Sequence, residues 1–422
     1  MTLLRLEEAR ERMLDGVAPL PGERVALADA LGRVLAEPVS ARLTLPPWDN
    51  SAMDGFAVRA ADIRGATNAS PVELRVTGEV AAGHVPEGTV AAGEAFRVLT
   101  GGMLPAGADT IVPVEDTDAP EGIAERPATV RVRSAFEEGA HVRRAGSDLR
   151  AGDLLLEAGT VLRPARVALA AAAGGATVCV HRRPRVAVLT TGDELVAPGD
   201  PVGPAQIPDS NSVSIAAQAA EAGAEIVPLG VARDVLDDVL ERLRRGVETA
   251  DVVVASGGVS VGAYDVVKEA FERLGTLDLW RVAIQPGKPL AFGAAPRADG
   301  TRALFFGLPG NPVSSFVTFE LFVRPIIRRL SGHRDLSGRT VVRARLAEAA
   351  PSSAGRRTFV RVRLREDPDR PGGWLASLAG GQGSHVLSAL AQADGLAVVP
   401  EEVEEMPNGS EVDVIRLDQE GR

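Results

Sequence analysis

The sequence predicts a multidomain α/β plus β chain: a doubly wound, mostly parallel α/β sandwich with a β-rich insertion domain, a discontinuous helical domain and a C-terminal β-domain. Three observations carry this reading. Strand and helix patterns alternate regularly from Arg185 to Leu330, as parallel sheets with helices on both faces require. A Gly- and Pro-rich stretch of short alternating runs interrupts two helical stretches before it, and further alternating runs follow it. At 422 residues the chain also exceeds the roughly 250–300 residues that one hydrophobic core serves.

The elements follow in order. Leu6, Ala9, Met13 and Leu14 recur at helical spacing, and Ala28 to Ala36 reads as a second short helix. From Leu45 to Phe136 the pattern turns to strands such as Val72–Val76 and Thr129–Arg133. Pro164 to Ala173 reads as helix again, with proline in its first turn. The α/β part then runs strand Val186–Leu189, helix Ser212–Ala222, strand Ala224–Val231, helix Val235–Thr249 and strand Val252–Ala255. A Gly-rich loop, helix Tyr264–Leu274, a two-stranded stretch, strand Ala303–Phe306 and a long helix Pro312–Leu330 complete it. The tail carries strand patterns at Val341–Leu346, Thr358–Leu364 and Val412–Leu417. The expected boundaries are 1–44 with 140–178 for the discontinuous helical domain, 45–139 for the insertion, 179–331 for the α/β domain and 332–422 for the C-terminal domain.

Composition narrows the function. The formal charge of −11 argues against nonspecific binding to nucleic acid or an anionic membrane. The single cysteine, Cys179, excludes an internal disulfide framework and multi-cysteine metal sites, and the five histidines lack ligand spacing. No apolar run spans a bilayer and the N-terminus lacks a signal-peptide core, so a cytoplasmic enzyme or binding protein is expected. Among the 46 basic residues only Lys268 and Lys288 are lysine. Arginine bias explains the scarcity, but lysine and arginine are not interchangeable where a compact ammonium is needed.

Ligands of open α/β sheets bind beyond the carboxyl ends of the strands. The loops there are Thr190–Glu194, Arg233–Asp234, Ser256–Gly262 and Leu308–Pro312. Glycine lets backbone N–H groups approach a ligand, and helix N-termini favour anions. Each loop alone is an ordinary turn; together, carrying Asp193, Glu194, Asp234 and Asp265, they suit a phosphate-bearing ligand with a bridging Mg2+. Lys288, framed as Gln285-Pro286-Gly287-Lys288-Pro289, is the candidate anion binder. For Lys268 a solvated helix face is an equal reading. Turn chemistry alone also explains Asp49–Gly55, Thr100–Gly102 and Arg143–Asp148.

Five of these motifs occur in the order of the molybdopterin molybdenumtransferases, the MoeA-type family that includes the E domain of gephyrin. They are Asp49-Asn50-Ser51-Ala52-Met53-Asp54-Gly55, Thr190-Thr191-Gly192-Asp193-Glu194-Leu195, Ser256-Gly257-Gly258-Val259-Ser260, Pro286-Gly287-Lys288-Pro289 and Gly307-Leu308-Pro309-Gly310-Asn311-Pro312-Val313-Ser314. The chain resembles that family over nearly its whole length. The resemblance implies insertion of molybdate into adenylylated molybdopterin with Mg2+-assisted release of AMP. It implies a homodimer whose active site is shared between the α/β domain of one subunit and the insertion of the other. A molybdopterin adenylyltransferase and cofactor-accepting enzymes are the implied partners.

By motif position, the resemblance points to Asp54, Thr100, Asp148, Glu194, Asp234, Asp265 and Lys288 as catalytic residues; by their chemistry Asp234 and Asp265, with Glu194, are the expected Mg2+ ligands. It implies substrate contacts from Gly192, Asp193, Ser256, Gly257, Gly258, Ser260, Pro289, Pro309, Gly310, Asn311 and Ser314, and a molybdate pocket completed by Arg356 and Ser384. The chain departs from many members at Gln285, where they carry a second lysine; glutamine donates a hydrogen bond but no charge. Adenylylation of molybdopterin, insertion of tungstate and a non-enzymatic scaffold or carrier role stay open as alternatives.

Overall fold

A computed structural model describes residues 3–119, 125–257 and 266–420. Contacts divide the chain into two compact units, one of Arg24–Gly32 and Glu37–Val178, the other of Met1–Glu23, Arg33–Ala36 and Cys179–Arg422. The chain opens with α1 (Leu6–Leu14). Its buried Leu6, Ala9 and Met13 join the α/β core of the second of these units.

The Arg24–Gly32/Glu37–Val178 unit is built on five strands: β1 (Gly55–Val58), β2 (Val72–Val80), β3 (Glu94–Val98), β4 (Thr110–Pro113) and β5 (Thr129–Val132). Their order is β4-β1-β3-β2-β5. Both faces are covered. Phe56, Val58, Leu74, Val76 and Val130 pack on one side, and Ala57, Val80, Phe96, Val98 and Ile111 on the other; the sides alternate with the period of two, and a bulge between Val76 and Gly78 carries Val80 to the second side. The helix α2 (Pro164–Ala172) begins on proline, whose missing N–H is no loss there. The helix expected over Ala28–Ala36 does not form. Only Leu27–Asp29 makes a 3-10 turn, and Gly32, at φ +76°, turns the backbone out of the right-handed helical region.

The other unit holds the doubly wound sheet. Its strands are β6 (Arg185–Thr191), β7 (Glu225–Ala232), β8 (Val252–Ser256), β9 (Thr276–Arg281), β10 (Pro289–Pro296) and β11 (Arg302–Leu308). They run in the order β7-β6-β8-β11-β10-β9. The first four are parallel, β10 runs antiparallel to β11, and β9, antiparallel to β10, runs with the first four again. Val186, Val188, Val252, Val254 and Phe306 face α3 (Ser210–Glu221) and α6 (Pro312–Thr318) through Ile215, Ala219, Val313 and Val317. Ala187, Leu189, Val253, Ala255 and Phe305 face α4 (Leu236–Thr249) and α5 (Val266–Glu272) through Val239, Leu243 and Phe271. The chain steps from β6 to β7 on one side, then returns to β8 on the other. The crevice between β6 and β8 is the topological switch point where such sheets bind ligands.

The expected long helix Pro312–Leu330 is α6 and α7 (Arg324–Leu330) joined by a π turn, Phe319–Val323. Pro325 explains the interruption: it has no N–H to give to the preceding turn, and a π turn absorbs the mismatch. The tail forms a closed ring of β12 (Arg339–Leu346), β13 (Arg357–Glu366), β14 (Trp374–Leu378), β15 (Gly395–Val399) and β16 (Glu411–Glu420), in the order β13-β14-β12-β16-β15-β13. Val360, Val362, Ala376, Ala397 and Val414 share its core, while Phe359 and Leu396 belong to the α/β core. Closure pairs each of these five strands on both sides, and the short strand Ile284–Gln285 adds in parallel to β13. Among the described residues no helix is long and apolar enough to cross a membrane.

Candidate functional site

The larger of two neighbouring cavities lies at the switch point. After β6 the chain turns through Gly192, whose carbonyl accepts from Leu195 N–H at 3.1 Å. It enters α3 at Asp209, which is buried. One Asp209 oxygen accepts from Ser212 N–H at 3.1 Å as a helix cap, and the other accepts the buried Thr190 hydroxyl at 2.6 Å. After β8 the buried Ser256 hydroxyl donates to Pro309 O at 3.1 Å and accepts from Asn211 Nδ2 at 2.9 Å. The Asn211 amide also donates to Gly310 O at 2.7 Å. These bonds tie the loops after β8 and β11 to the start of α3. Gly257 is obligatory: its φ is +95°, and a Cβ there would lie 2.5 Å from Thr191 O.

These loops enclose about 920 Å³. The titratable residues lining it are Glu194, Asp209, Asp234 and His385, with no lysine or arginine among the described residues. Asp193 stands behind Asp234 and accepts its N–H at 3.3 Å. Burial pushes the Asp234 carboxyl above the ordinary aspartate range, and the charges of Asp193 and Glu194 push it further. Glu194 and Asp234 are oxygen donors in an electronegative pocket. That suits Mg2+, which takes one or two carboxylates and fills its other positions with water and phosphate oxygens. Among the described residues no three such groups cluster as a complete metal site. The third expected carboxylate, Asp265, lies outside the described residues, as do Gly258 and Ser260.

The smaller cavity, of about 560 Å³, has the opposite character. Lys288, Arg356 and Arg361 line it with Gln285, Ser314, Gln382 and Ser384, and no carboxylate does so among the described residues. Half-buried Lys288 follows Gly287, which holds φ +106° against Thr318 Oγ1. The Gln285–Pro286 peptide is cis. Among the described residues Lys288 has no ion-pair partner, whereas Lys268 pairs with Glu272 at 3.8 Å along the exposed face of α5. Pro289 lines both cavities.

In the Arg24–Gly32/Glu37–Val178 unit, Asp54 and Thr100 meet. Asp54 Oδ1 accepts from the Thr100 N–H and hydroxyl, each at 2.6 Å. Those bonds hold the Asp54 carboxyl below its usual range. Asp49 is tied to the Arg143–Asp148 loop by Arg144 Nη1 at 2.8 Å and Ala145 N–H at 2.7 Å. Asp148 is exposed, its N–H donating to Leu45 O at 3.1 Å.

Family models match along the chain in succession: the MoeA N-terminal region (domain I and II) over residues 4–174, a probable molybdopterin binding domain over 187–329 and the MoeA C-terminal region (domain IV) over 343–417. Molybdopterin molybdenumtransferase 2 of Mycobacterium tuberculosis is 42% identical over 92% of this chain and 94% of its own. The chain belongs to the MoeA family of molybdopterin molybdenumtransferases. The Bacillus subtilis molybdopterin molybdenumtransferase is 34% identical over 99% of this chain and 95% of its own. The crystal structure of a molybdopterin biosynthesis MoeA protein from Pyrococcus horikoshii superposes with a TM-score of 0.82 at 35% identity, covering 98% of this chain and 99% of that one. Membership makes the chain a transferase of molybdenum cofactor biosynthesis, acting on molybdopterin.

The expected MoeA-type residues separate by cavity. Gly192, Glu194, Asp234, Ser256, Gly257, Pro309, Gly310 and Asn311 line the larger one; Lys288, Ser314, Arg356 and Ser384 line the smaller. Sequence reasoning missed Asp209, Asn211, His385, Arg361 and Gln382. Asp209 had a signal, as an aspartate just ahead of a helix. Arg361 had none, being one arginine among many in an alternating strand.

Proposed function

We propose that the two cavities divide the substrates of one reaction: adenylylated molybdopterin in the larger and molybdate in the smaller, with insertion of molybdenum and release of AMP. The adjoining cavities of opposite charge, sharing Pro289, carry this reading. A small dianion calls for cations and hydroxyl donors, which Lys288, Arg356, Ser314 and Ser384 supply. A phosphate-bearing ligand in a carboxylate-lined cavity calls for a cation between. Glu194 and Asp234, with Asp265 as the third candidate, would hold Mg2+, which would supply positive charge against the phosphates of the ligand. Backbone N–H groups of the Gly192 and Gly257 loops orient the phosphates, and the stitched loops exclude water. Asp54, Thr100 and Asp148 serve the same reaction from the partner subunit of a homodimer; a monomer by light scattering at micromolar concentration would remove them from this role.

The test incubates the protein with adenylylated molybdopterin, Mg2+ and molybdate or tungstate, and measures AMP. AMP should appear only with oxyanion and Mg2+ together. Lys288→Ala should lower the rate at least tenfold at limiting oxyanion. No AMP with either oxyanion refutes the reading, and transfer of AMP from ATP onto molybdopterin points instead to the adenylylating reaction.

A further inference from the structure

Arg361 lies on β13 and is 1% exposed. Its neighbours Val360 and Val362 point into the barrel core, so the period of two turns Arg361 outward, onto the smaller cavity. Arg361 Nη2 donates to Gly381 O at 2.9 Å and Gly383 O at 3.2 Å. Gln382 closes the clamp from the other side, its Oε1 accepting Arg361 N–H at 2.9 Å and its Nε2 donating to Arg361 O at 3.1 Å. The clamped loop leads into Ser384, whose carbonyl accepts from Val313 N–H at the start of α6.

The charge of this guanidinium is left uncompensated. Among the described residues no carboxylate pairs with Arg361, and its buried Nε has no hydrogen-bond partner. Two other buried arginines are treated differently: Arg324 and Arg339 both pair with Glu221 and Glu320. A buried lone charge is costly, and a guanidinium cannot shed its proton to escape that cost. Such a group is stable where an anion arrives to complete it. Across the cavity Gln285 brings no charge, and its Oε1 is taken by the Ser353 hydroxyl.

We propose that Arg361 is a positioning and specificity residue for the oxyanion substrate: it fixes the Gly381–Ser384 rim and supplies the buried positive charge that selects a dianion in a cavity where Gln285 supplies none. This rests on reading the cavity as the molybdate site. Arg361→Met and Arg361→Gln remove the charge, and Arg361→Lys restores it. All three are checked for native circular dichroism, so that one misfolded neutral variant leaves the other. The readouts are KM for molybdate, KM for adenylylated molybdopterin, and the rise in Tm that molybdate gives each variant over its own ligand-free value.

The neutral variants should raise the molybdate KM at least tenfold, keep the other KM within twofold, and lose the molybdate-induced rise in Tm. The lysine variant should stay within about threefold of wild type. A merely structural arginine would shift both KM values alike or neither, and either result overturns the proposal, as does a lysine variant no better than methionine. A wild-type protein indifferent to molybdate in rate and Tm overturns the assignment of the cavity itself, and the role of Arg361 with it.

Discussion

Asp234 shows how a single residue records what its pocket lacks. Burial and the adjacent charges of Asp193 and Glu194 raise its pKa above the ordinary aspartate value, so the folded state holds its proton more tightly than the unfolded chain does. A carboxylate raised in this way destabilises the fold when ionised. The penalty is absent below the unfolded value of 3.8, grows as pH rises toward the folded value, and is complete above it. Asp234→Asn should therefore raise the Tm of the ligand-free protein at pH 7 and leave it unchanged near pH 3. Mg2+ should raise the Tm of the wild type at pH 7 and have little effect on the variant. Equal Tm values for the two proteins at pH 7 would show that the repulsion is screened. At this scale the sequence was readable where a residue type was rare. Lys288 stands out beside one other lysine, while Arg361 is marked by its burial without an acidic partner among the described residues, which no spacing encodes.

Elements position the site through their ends. The buried Asp209 caps α3 and holds the Thr190 hydroxyl at the end of β6, so one carboxylate aligns both walls of the switch-point crevice. Asp209→Ala should cost about 1 kcal/mol for the lost cap. It should cost about another 1–3 kcal/mol for the orphaned buried hydroxyl. Thermal unfolding should show a lower Tm, and Asp209→Asn, whose Oδ1 still accepts the Ser212 N–H and whose Nδ2 donates to the Thr190 hydroxyl in a reversed bond, should recover most of it. Equal losses in the two variants would mean that charge rather than hydrogen bonding matters there. Apolar periodicity revealed the strands and helices of the α/β unit because that signal repeats along each element. It misread Ala28–Ala36, where apolar spacing suggested a helix but Gly32 adopts positive φ. It also missed the π turn, since Phe319–Val323 is buried at every position and shows no periodicity to interrupt.

At the scale of the whole α/β and barrel unit, the smaller cavity depends on docking. One wall is Gln285–Pro289 with Ser314, from the approach to β10 and from α6; the other is Arg356 and Thr358–Arg361 with Gln382–Ser384, from the barrel. Phe359 and Leu396 supply apolar contact between the two, and a buried ionic network adds direction. Arg339, at the start of the barrel, donates to Glu320 on the π turn at 3.0 Å and to Glu221 at the end of α3. Burial opposes its charge, but these carboxylates hold its pKa above the usual arginine range. Gln218 Nε2 adds a bond to Glu320 at 3.0 Å. Removing one partner of a buried pair costs about 3–5 kcal/mol, because the other is left charged and dry. Glu320→Gln leaves Arg324 and Arg339 to the partly exposed Glu221, so the barrel should loosen against α6 and α7. Among the described residues the larger cavity draws only His385 from the barrel domain, so its ligand should bind as before. The expected signature is a lower Tm with a raised molybdate KM and an unchanged KM for adenylylated molybdopterin. A lower Tm with both KM values unchanged would mean that the apolar seam at Phe359 and Leu396 holds the anion cavity together without the ionic network.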